Sequence, residues 1–367
     1  MTGLRDVAKR AGVSISTVSL ALREDPRIKA STRQRVVAAA ADLGYRPNGL
    51  ARDLKAGRTG MISVLIHDLG GPFYSELLRG VQARTLDLGY TTIVGCTAGG
   101  QDGALTRLLT ENRTDGAIVL DASISEDLLS SIASASFPVV VLDRVVAHPY
   151  VYLVTCDHEA GAYMATEHLI QSGYRHIAFV SGLESSLHSR LRYKGYLRAL
   201  SEYDLAADKE YLYHGTYTED SGYEIGLRMA QAQHMPEAVF SANDEMAIGI
   251  LRAVTEYGLK VPDDLAIVGF DDVLVTQYVT PPLTTVRQPM YELGVEATKA
   301  LSTALGGNFD IRPVVLQTEL VIRASSGRPR TRDSLPAHVS PVQLRSSKSG
   351  QAQGVYTASG EGPGRRD

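Results

Sequence analysis

The sequence has few of the residues and patterns that mark disulfide-bonded or membrane proteins. Its only two cysteines in 367 residues, Cys96 and Cys156, lie far apart in apolar segments, so we expect buried, reduced thiols. No apolar run reaches the roughly 18 residues that span a bilayer. The N-terminus lacks the apolar stretch of a secretory signal. We therefore expect a cytoplasmic protein with no membrane partner.

Sequence patterns of catalytic and metal centres are missing as well. There is no G-x-S-x-G elbow, no P-loop and no dinucleotide-binding glycine pattern, and the glycines at 99–103 have the wrong spacing. No Cys/His cluster has zinc spacing, and His158-Glu159 lacks the second histidine of a metalloprotease helix. We expect no catalytic residue, no metal and no cofactor, and hence no enzyme.

The net charge of −4 hides an uneven distribution along the chain. Residues 1–60 hold 12 Lys and Arg against 5 Asp and Glu, whereas residues 61–327 hold 18 against 33. A basic head on an acidic body is typical of a protein that binds a phosphate backbone at one end only. Residues 328–367 are rich in Ser, Gly, Pro, Arg and Gln without apolar periodicity, which predicts a disordered tail.

The basic head has the pattern of a helix-turn-helix motif. A short helix is predicted over 4–11, and Ser14 offers an N-cap oxygen to a second helix over 15–23. Two short helices joined by a glycine-containing turn are typical of DNA-binding modules; a small helical subdomain with a basic surface is the competing interpretation. A third helix is predicted from Ser31. Its expected core-facing residues are Val36, Val37, Ala40 and Leu43.

From Met61 onward, short apolar runs rich in Val and Ile alternate with helical patterns. This order predicts doubly wound α/β structure with parallel strands, arranged as two sheets side by side. Strands are predicted at 61–66, 91–94, 116–120, 138–142, 176–180, 210–213, 237–240 and 265–268. Helices are predicted near 73–88, 102–111, 125–134, 158–172, 188–203, 218–232 and 244–257. Ligands of such folds bind at the carboxyl ends of the strands, here in the cleft between the sheets.

These patterns divide the chain into four parts, and the core into two subdomains. A last strand–helix–strand stretch over 284–321 is expected to cross back between the two halves of the core. The weak helix at 49–56 is expected to fold only when something supports it. The predicted parts are a helix-turn-helix headpiece (1–47), a hinge helix and linker (48–58), a core (59–327) with subdomains at about 59–156 and 286–312 and at about 157–285 and 313–327, and a tail (328–367).

Several motifs in the head and the core resemble the LacI/GalR family of bacterial transcription regulators. They are the runs 4–14, 17–19 and 44–48 in the head, and 72–74, 115–116, 138–144, 243–244, 268–272 and 282–286 in the core. The resemblance implies a small all-α headpiece, a hinge helix and a periplasmic-binding-protein-like core. It also implies a homodimer that binds a palindromic operator in double-stranded DNA.

The resemblance places the second helix in the major groove. Ile15, Ser16 and Leu20 stand where family members read bases, and Thr17 and Ser19 suit phosphate contacts. Leu20 departs from the commoner polar pattern, since it can pack against a thymine methyl group but cannot hydrogen-bond a guanine. We therefore expect an operator half-site that differs from the best-known family sites.

In the hinge, Leu54 matches the leucine that wedges into the minor groove and bends DNA. Arg52 and Lys55 would contact phosphates, and Asn48, a possible helix cap, completes the expected DNA-binding residues. Alternatively, Leu54 is a hinge residue whose side chain faces the core.

Seven core residues are expected to contact an effector: Phe73, Tyr74, Asp143, Arg192, Asn243, Asp244 and Asp271. Aromatic rings can stack on a sugar or a base, and carboxylates with a guanidinium can hold sugar hydroxyls in fixed directions. The alternatives are core packing for the two aromatics, structural ion pairs for Asp143, Arg192 and Asp271, and helix capping for Asn243 and Asp244. Leu120 is apolar where some sugar-responsive members have a polar residue, which weakens any specific sugar assignment.

Together these observations predict a sequence-specific transcription regulator, a repressor, whose operator affinity is controlled by a sugar or related metabolite. The effector is expected to act by population shift, because the hinge would fold only when the core holds the dimer in a DNA-competent arrangement. The tail lacks the leucine heptads of a tetramer. The alternative is a cytosolic small-molecule binding protein of the solute-binding fold without a regulatory role.

Overall fold

The computed structural model describes residues 2–45, 58–97, 103–111, 113–121, 123–183 and 186–327. The predicted hinge helix at 49–56 and the predicted tail at 328–367 lie outside these residues. Three helices form the head, and two six-stranded sheets with their helices form the core. Among the described residues, no helix is both long and apolar enough to cross a membrane.

The helix-turn-helix motif predicted for the head is present. Gly12 ends the first helix with a φ of 67°, a left-handed conformation that glycine adopts at little cost. Ser14 Oγ caps the second helix by accepting a hydrogen bond from Thr17 N at 3.1 Å. The helices of the head are α1 (Leu4–Ala11), α2 (Ile15–Ala21) and α3 (Ala30–Asp42).

A small apolar core holds the three helices together. It is formed by Val7, Ala8, Ala11, Val18, Ala21, Val36, Ala39 and Ala40. The prediction that Val37 faces this core is wrong, because its side chain is 51% exposed. Neighbouring residues point about 100° apart around a helix, and the alanine-rich face of α3 that includes Val36 is too narrow to include Val37 as well.

The first sheet of the core is entirely parallel. Its strands are β1 (Met61–Ile66), β2 (Thr91–Cys96), β3 (Ala117–Val119), β4 (Val139–Leu142), β5 (Val151–Cys156) and β11 (Val314–Leu316). They are ordered β11-β5-β4-β3-β1-β2. The helices of this first subdomain are α4 (Pro72–Asp87), α5 (Gly103–Thr110), α6 (Glu126–Ile132) and α11 (Met290–Leu305).

The second sheet is parallel except for one edge strand. Its strands are β6 (Ile177–Ser181), β7 (Leu212–His214), β8 (Ala238–Ser241), β9 (Ala266–Asp271), β10 (Thr284–Arg287) and β12 (Glu319–Val321). They are ordered β12-β10-β9-β8-β6-β7, and β12 runs antiparallel to β10. The helices of this second subdomain are α7 (His158–Gln171), α8 (Leu187–Glu202), α9 (Glu219–Gln231) and α10 (Asp244–Glu256).

Two strands correct the predicted organisation of the core. Strand β5 was not predicted, because no helix separates it from β4 and the expected alternation of strands and helices therefore fails there. Strand β11 pairs with β5 in the first sheet, whereas residues from 313 were expected in the second subdomain. The whole of β10 lies in the second sheet, so the chain crosses after Arg287 and returns after Leu316.

Helices α4 and α11 pack closely enough that their contact requires glycine. A Cβ atom at Gly80 would overlap the carbonyl oxygen of Tyr291, and one at Gly294 would overlap the carbonyl oxygen of Leu77. Both obstacles are backbone atoms, which cannot move aside as a flexible side chain can. This contact holds α11, which comes late in the chain, against the first subdomain.

Replacing Gly80 with alanine should therefore destabilise the first subdomain. Overpacking of a buried contact typically costs about 1–3 kcal/mol, and the same change at Gly327, where a Cβ atom has only ordinary contacts, should have little effect. Urea-unfolding midpoints of the parent, Gly80→Ala and Gly327→Ala test this. Equal midpoints for all three proteins would show that the helices are not in close contact.

Candidate functional site

The outward face of α2 presents the head residues for which DNA contacts were predicted. Ile15 is 44% exposed, and Ser16 is exposed as well. Ser14 Oγ lies 2.8 Å from both Ser16 Oγ and Thr17 Oγ1, so these hydroxyls form a polar cluster at the start of the helix. Ser19 and Leu20 are half-buried. The predicted contacts Asn48, Arg52, Leu54 and Lys55 lie outside the described residues.

A cavity of about 310 Å³ lies between the two subdomains of the core. Its lining residues lie at strand ends, in the segments that follow strands, or in the first turns of the next helices, because the carboxyl ends of the parallel strands of both sheets face the cleft. From the first subdomain these are His67, Asp68, Gly71, Phe73, Tyr74, Leu120, Asp121 and Asp143. From the second they are Leu183, Ser186, His188, Arg192, Thr216, Tyr217, Thr218, Asn243, Glu245 and Asp271.

Six of the seven residues predicted for an effector site line this cavity. Asn243 takes its helix-capping alternative: Oδ1 caps α10 by accepting from Met246 N at 3.0 Å, while Nδ2 donates to Tyr217 O at 2.9 Å. Its contact with an effector stays a prediction. Phe73 and Tyr74 stand edge to face, with ring centroids 5.3 Å apart, and also pack against the apolar core.

The structure corrects the seventh prediction, which concerned Asp244. This side chain is fully buried and does not line the cavity. Its Oδ1 accepts from Thr285 Oγ1 at 2.5 Å, and its Oδ2 accepts from Val273 N at 3.0 Å. Burial and the nearby carboxylate of Asp271 raise the pKa of Asp244 well above its ordinary value. Asp244 thus ties α10 to the segments around β9 and β10 and has no access to a ligand.

Arg192 supplies the positive charge at the cavity floor. Its side chain is 3% exposed and stacks on Phe270, with the guanidinium carbon 3.8 Å from the ring centroid. Nη1 donates to Ala242 O, and Nη2 lies 3.8 Å from Asp271 Oδ1. Nε has no hydrogen-bond partner among the described residues. This buried N–H is a donor that a ligand oxygen can satisfy.

The two carboxylates of the floor differ in their electrostatics. Burial raises the pKa of Asp271 to about 7, although Arg192 and a 2.6 Å hydrogen bond from Gln288 Nε2 act in the opposite direction. Burial acts in the same direction on Asp143, but His158 and a 2.6 Å hydrogen bond from Thr155 help to hold its pKa below the usual range. Asp143 is therefore an ionised acceptor, whereas Asp271 can carry a proton near neutral pH.

Sequence reasoning missed much of the cavity rim. His67 and Asp68 follow β1, Asp121 follows β3, and Tyr217 follows β7. The same signal that identified Asp143, a polar residue just after an apolar strand, was available for His67, Asp68 and Asp121, whereas Tyr217 lies further along the loop after β7. Glu245 has no such signal, because it lies in the first turn of a helix and reaches the cavity through its orientation.

The rim adds negative charge to the cavity. Three carboxylates, Asp68, Asp121 and Glu245, join those of the floor, and Arg192 is the single arginine or lysine among the lining residues described. Burial, with these rim carboxylates, raises the pKa of Tyr74 to about 12 and so keeps its hydroxyl protonated. The arrangement offers many hydrogen-bond acceptors and few cations.

Two family models match the chain at separate regions. Residues 3–48 match the model described as bacterial regulatory proteins, lacI family, and residues 166–326 match a periplasmic binding protein-like domain. The first match covers α1 to α3, and the second lies mainly in the second subdomain.

Curated relatives and solved structures match almost the whole chain. Catabolite control protein A of Priestia megaterium is 37% identical over 300 residues, which are 81% of this chain and 90% of that protein. The repressor PurR of Photobacterium profundum is 33% identical over 329 residues, covering 89% and 98%. The lac repressor dimer bound to operator and the anti-inducer ONPF is 29% identical with a TM-score of 0.76, covering 89% and 99%. With these matches, the chain belongs to the lacI family of bacterial regulatory proteins.

Proposed function

We propose that this protein is a transcriptional repressor whose affinity for operator DNA is controlled by a small, hydroxyl-rich effector bound between the two subdomains of the core. The observation that carries the proposal is the combination of a basic helix-turn-helix head with a polar cavity lined by the strand ends of both sheets. The relatives named above are regulators, which supports a regulatory rather than an enzymatic role.

For the DNA interface, we infer that α2 lies in the major groove of one half of a palindromic operator. Ile15 and Ser16 are exposed on this helix, where they can meet base edges. The excess of Lys and Arg over residues 1–60 supports phosphate contacts. A homodimer would place two heads on the two half-sites. Leu54, Arg52, Lys55 and Asn48 remain proposed contacts of the hinge.

For the effector, the charge of the cavity favours an uncharged sugar over a phosphorylated one. Five lining carboxylates and a single arginine would repel a phosphate group but can accept hydrogen bonds from several hydroxyls. A volume of about 310 Å³ lies at the small end of ligand pockets. Two structural neighbours support this class: the regulator CelR in complex with cellobiose, and a regulator from Enterococcus faecium with bound ribose.

The proposed mechanism is a shift between two arrangements of the subdomains. Because both subdomains line the cavity, a ligand that contacts both binds one relative orientation more tightly than the other. The chain crosses between the subdomains three times, so a change of orientation is transmitted through short connections. The first subdomain begins directly after the predicted hinge, which is where a change in orientation would alter DNA binding.

The DNA interface predicts a specific defect for Ile15→Ala. This change should weaken binding to the operator by about tenfold, because each methylene-sized group that Ile15 buries against the bases is worth roughly 0.8 kcal/mol. Binding to random duplex should be unchanged. Val37→Ala is the matched control, since Val37 is also an exposed aliphatic residue of the head. Fluorescence anisotropy with operator and random duplexes measures both. Equal operator affinities for the two variants would remove α2 from the interface.

The effector site predicts that Asp271→Asn uncouples the protein from its ligand. Above pH 7, where Asp271 is ionised, loss of charge-assisted hydrogen bonds of about 1.5–3 kcal/mol should reduce sugar affinity roughly tenfold to a hundredfold. Operator binding without ligand should match the parent. Asp310→Asn, at an exposed aspartate after α11, is the control. The measurement is calorimetric titration with sugars and with their phosphates. Unchanged affinity in Asp271→Asn would place the effector elsewhere.

The raised pKa of Asp271 predicts how stability depends on pH. The folded protein retains this proton up to about pH 7, whereas the unfolded chain releases it near pH 4, so the contribution of Asp271 to stability falls as pH rises through this window. Asp271→Asn cannot ionise. Its melting temperature should therefore rise relative to that of the parent as the pH increases from 5 to 7, and the difference should level off between pH 7 and pH 8. A difference in melting temperature that stays constant from pH 5 to pH 7 would contradict the prediction.

A further inference from the structure

His158 lies behind the cavity floor and joins two of its charged residues. It is the first residue of α7, it is 1% exposed, and it is not among the residues that line the cavity. Nε2 lies 2.9 Å from Asp143 Oδ1, and Nδ1 lies 3.3 Å from Arg192 Nη2. Asp143 follows β4 of the first sheet, whereas Arg192 lies on α8 beside the second. One imidazole ring therefore connects the two subdomains.

The contacts determine where the proton of this ring lies. A guanidinium can only donate hydrogen bonds, so Nδ1 of His158 must accept the bond from Arg192 and carry no proton. The proton is then on Nε2, 2.9 Å from Asp143 Oδ1, in close electrostatic contact with the carboxylate but not aligned for a regular hydrogen bond.

Neither Asp143 nor Arg192 is fixed across the cleft by its other contacts alone. Asp143 has a φ of 54°, a left-handed conformation that a residue with a side chain keeps only when its surroundings fix it. Arg192 is held by Ala242 O, Asp271 and the ring of Phe270, but all of these belong to the second subdomain, and its Nε has no partner among the described residues. The ring of His158 is itself held close to Phe270 and His188, at centroid distances of 6.0 and 5.7 Å.

We propose that His158 is a positioning residue of the effector site: its imidazole fixes the carboxylate of Asp143 and the guanidinium of Arg192 in one relative geometry across the two subdomains. The proposal rests on the proposed function, since it concerns the same cavity. A hydroxyl-rich ligand would meet both groups already aligned, and so would not have to order them on binding.

Three substitutions separate the two contacts of the ring. His158→Asn places its amide oxygen close to the position of Nδ1 and so keeps an acceptor for Arg192. His158→Gln places its amide nitrogen close to the position of Nε2 and keeps a donor for Asp143. His158→Phe preserves the ring but removes both contacts. The control is His168→Gln on the same helix, because His168 bonds to Ser326 Oγ at 2.8 Å, far along α7 from the cavity.

The first readout needs no ligand. Nitrogen-15 spectra of the full-length parent should show a buried histidine with its proton on Nε2, assigned to His158 by its loss in His158→Phe. The Nη signals of Arg192 should show slow rotation of the guanidinium in the parent, in His158→Asn and in His168→Gln. Rotation should be faster in His158→Phe and His158→Gln, where the guanidinium keeps only its contacts with Ala242 O, Asp271 and Phe270. A proton on Nδ1, or rotation in His158→Phe as slow as in the parent, overturns the proposal.

The second readout is calorimetric binding of ribose and of cellobiose. His158→Phe should lose at least about tenfold in affinity, His158→Asn and His158→Gln should each lose less, and His168→Gln should match the parent. Parent affinity in His158→Phe overturns the proposal. If the parent binds neither sugar, the proposed effector class fails, and the spectra alone then decide the role of His158.

Discussion

The buried guanidinium of Arg192 is the group on which the arrangement of the cavity floor depends. A charge removed from water must be compensated by the protein, and here the compensation comes from separate segments of the chain. They are the carbonyl group after β8, the carboxylate that ends β9, the ring of Phe270 and the imidazole that begins α7. Because all of them meet at one buried cation, the ends of β8 and β9 and the start of α7 are brought into a single geometry.

The positions of most floor residues follow from the sequence for a simple physical reason. In a parallel sheet the carboxyl ends of all strands lie at one edge, so a polar residue directly after an apolar run is placed there whatever its partners are. This rule locates Asp143, Asn243 and Asp271. The head is equally predictable, since Gly12 and Ser14 have local roles that do not depend on the rest of the chain.

What the sequence could not provide depends on orientation or on distant pairing. Asn243 and Asp244 are neighbours, yet one lines the cavity and the other is buried against Thr285, because successive residues at a helix start point in different directions. Strand β11 has only three residues, too few for a periodic pattern. His158 has no signal in the sequence at all, since its role exists only where two subdomains meet.

The late return of the chain to the first sheet has a consequence for the order in which the two subdomains fold during synthesis. Strand β11 lies at one edge of the first sheet and begins at Val314. This is more than 150 residues after β5, the strand with which it pairs. Until that segment leaves the ribosome, β5 has an unpaired edge, and unpaired edges are templates for association with other chains. The first subdomain, although it begins earlier in the chain, is therefore completed almost as late as the second.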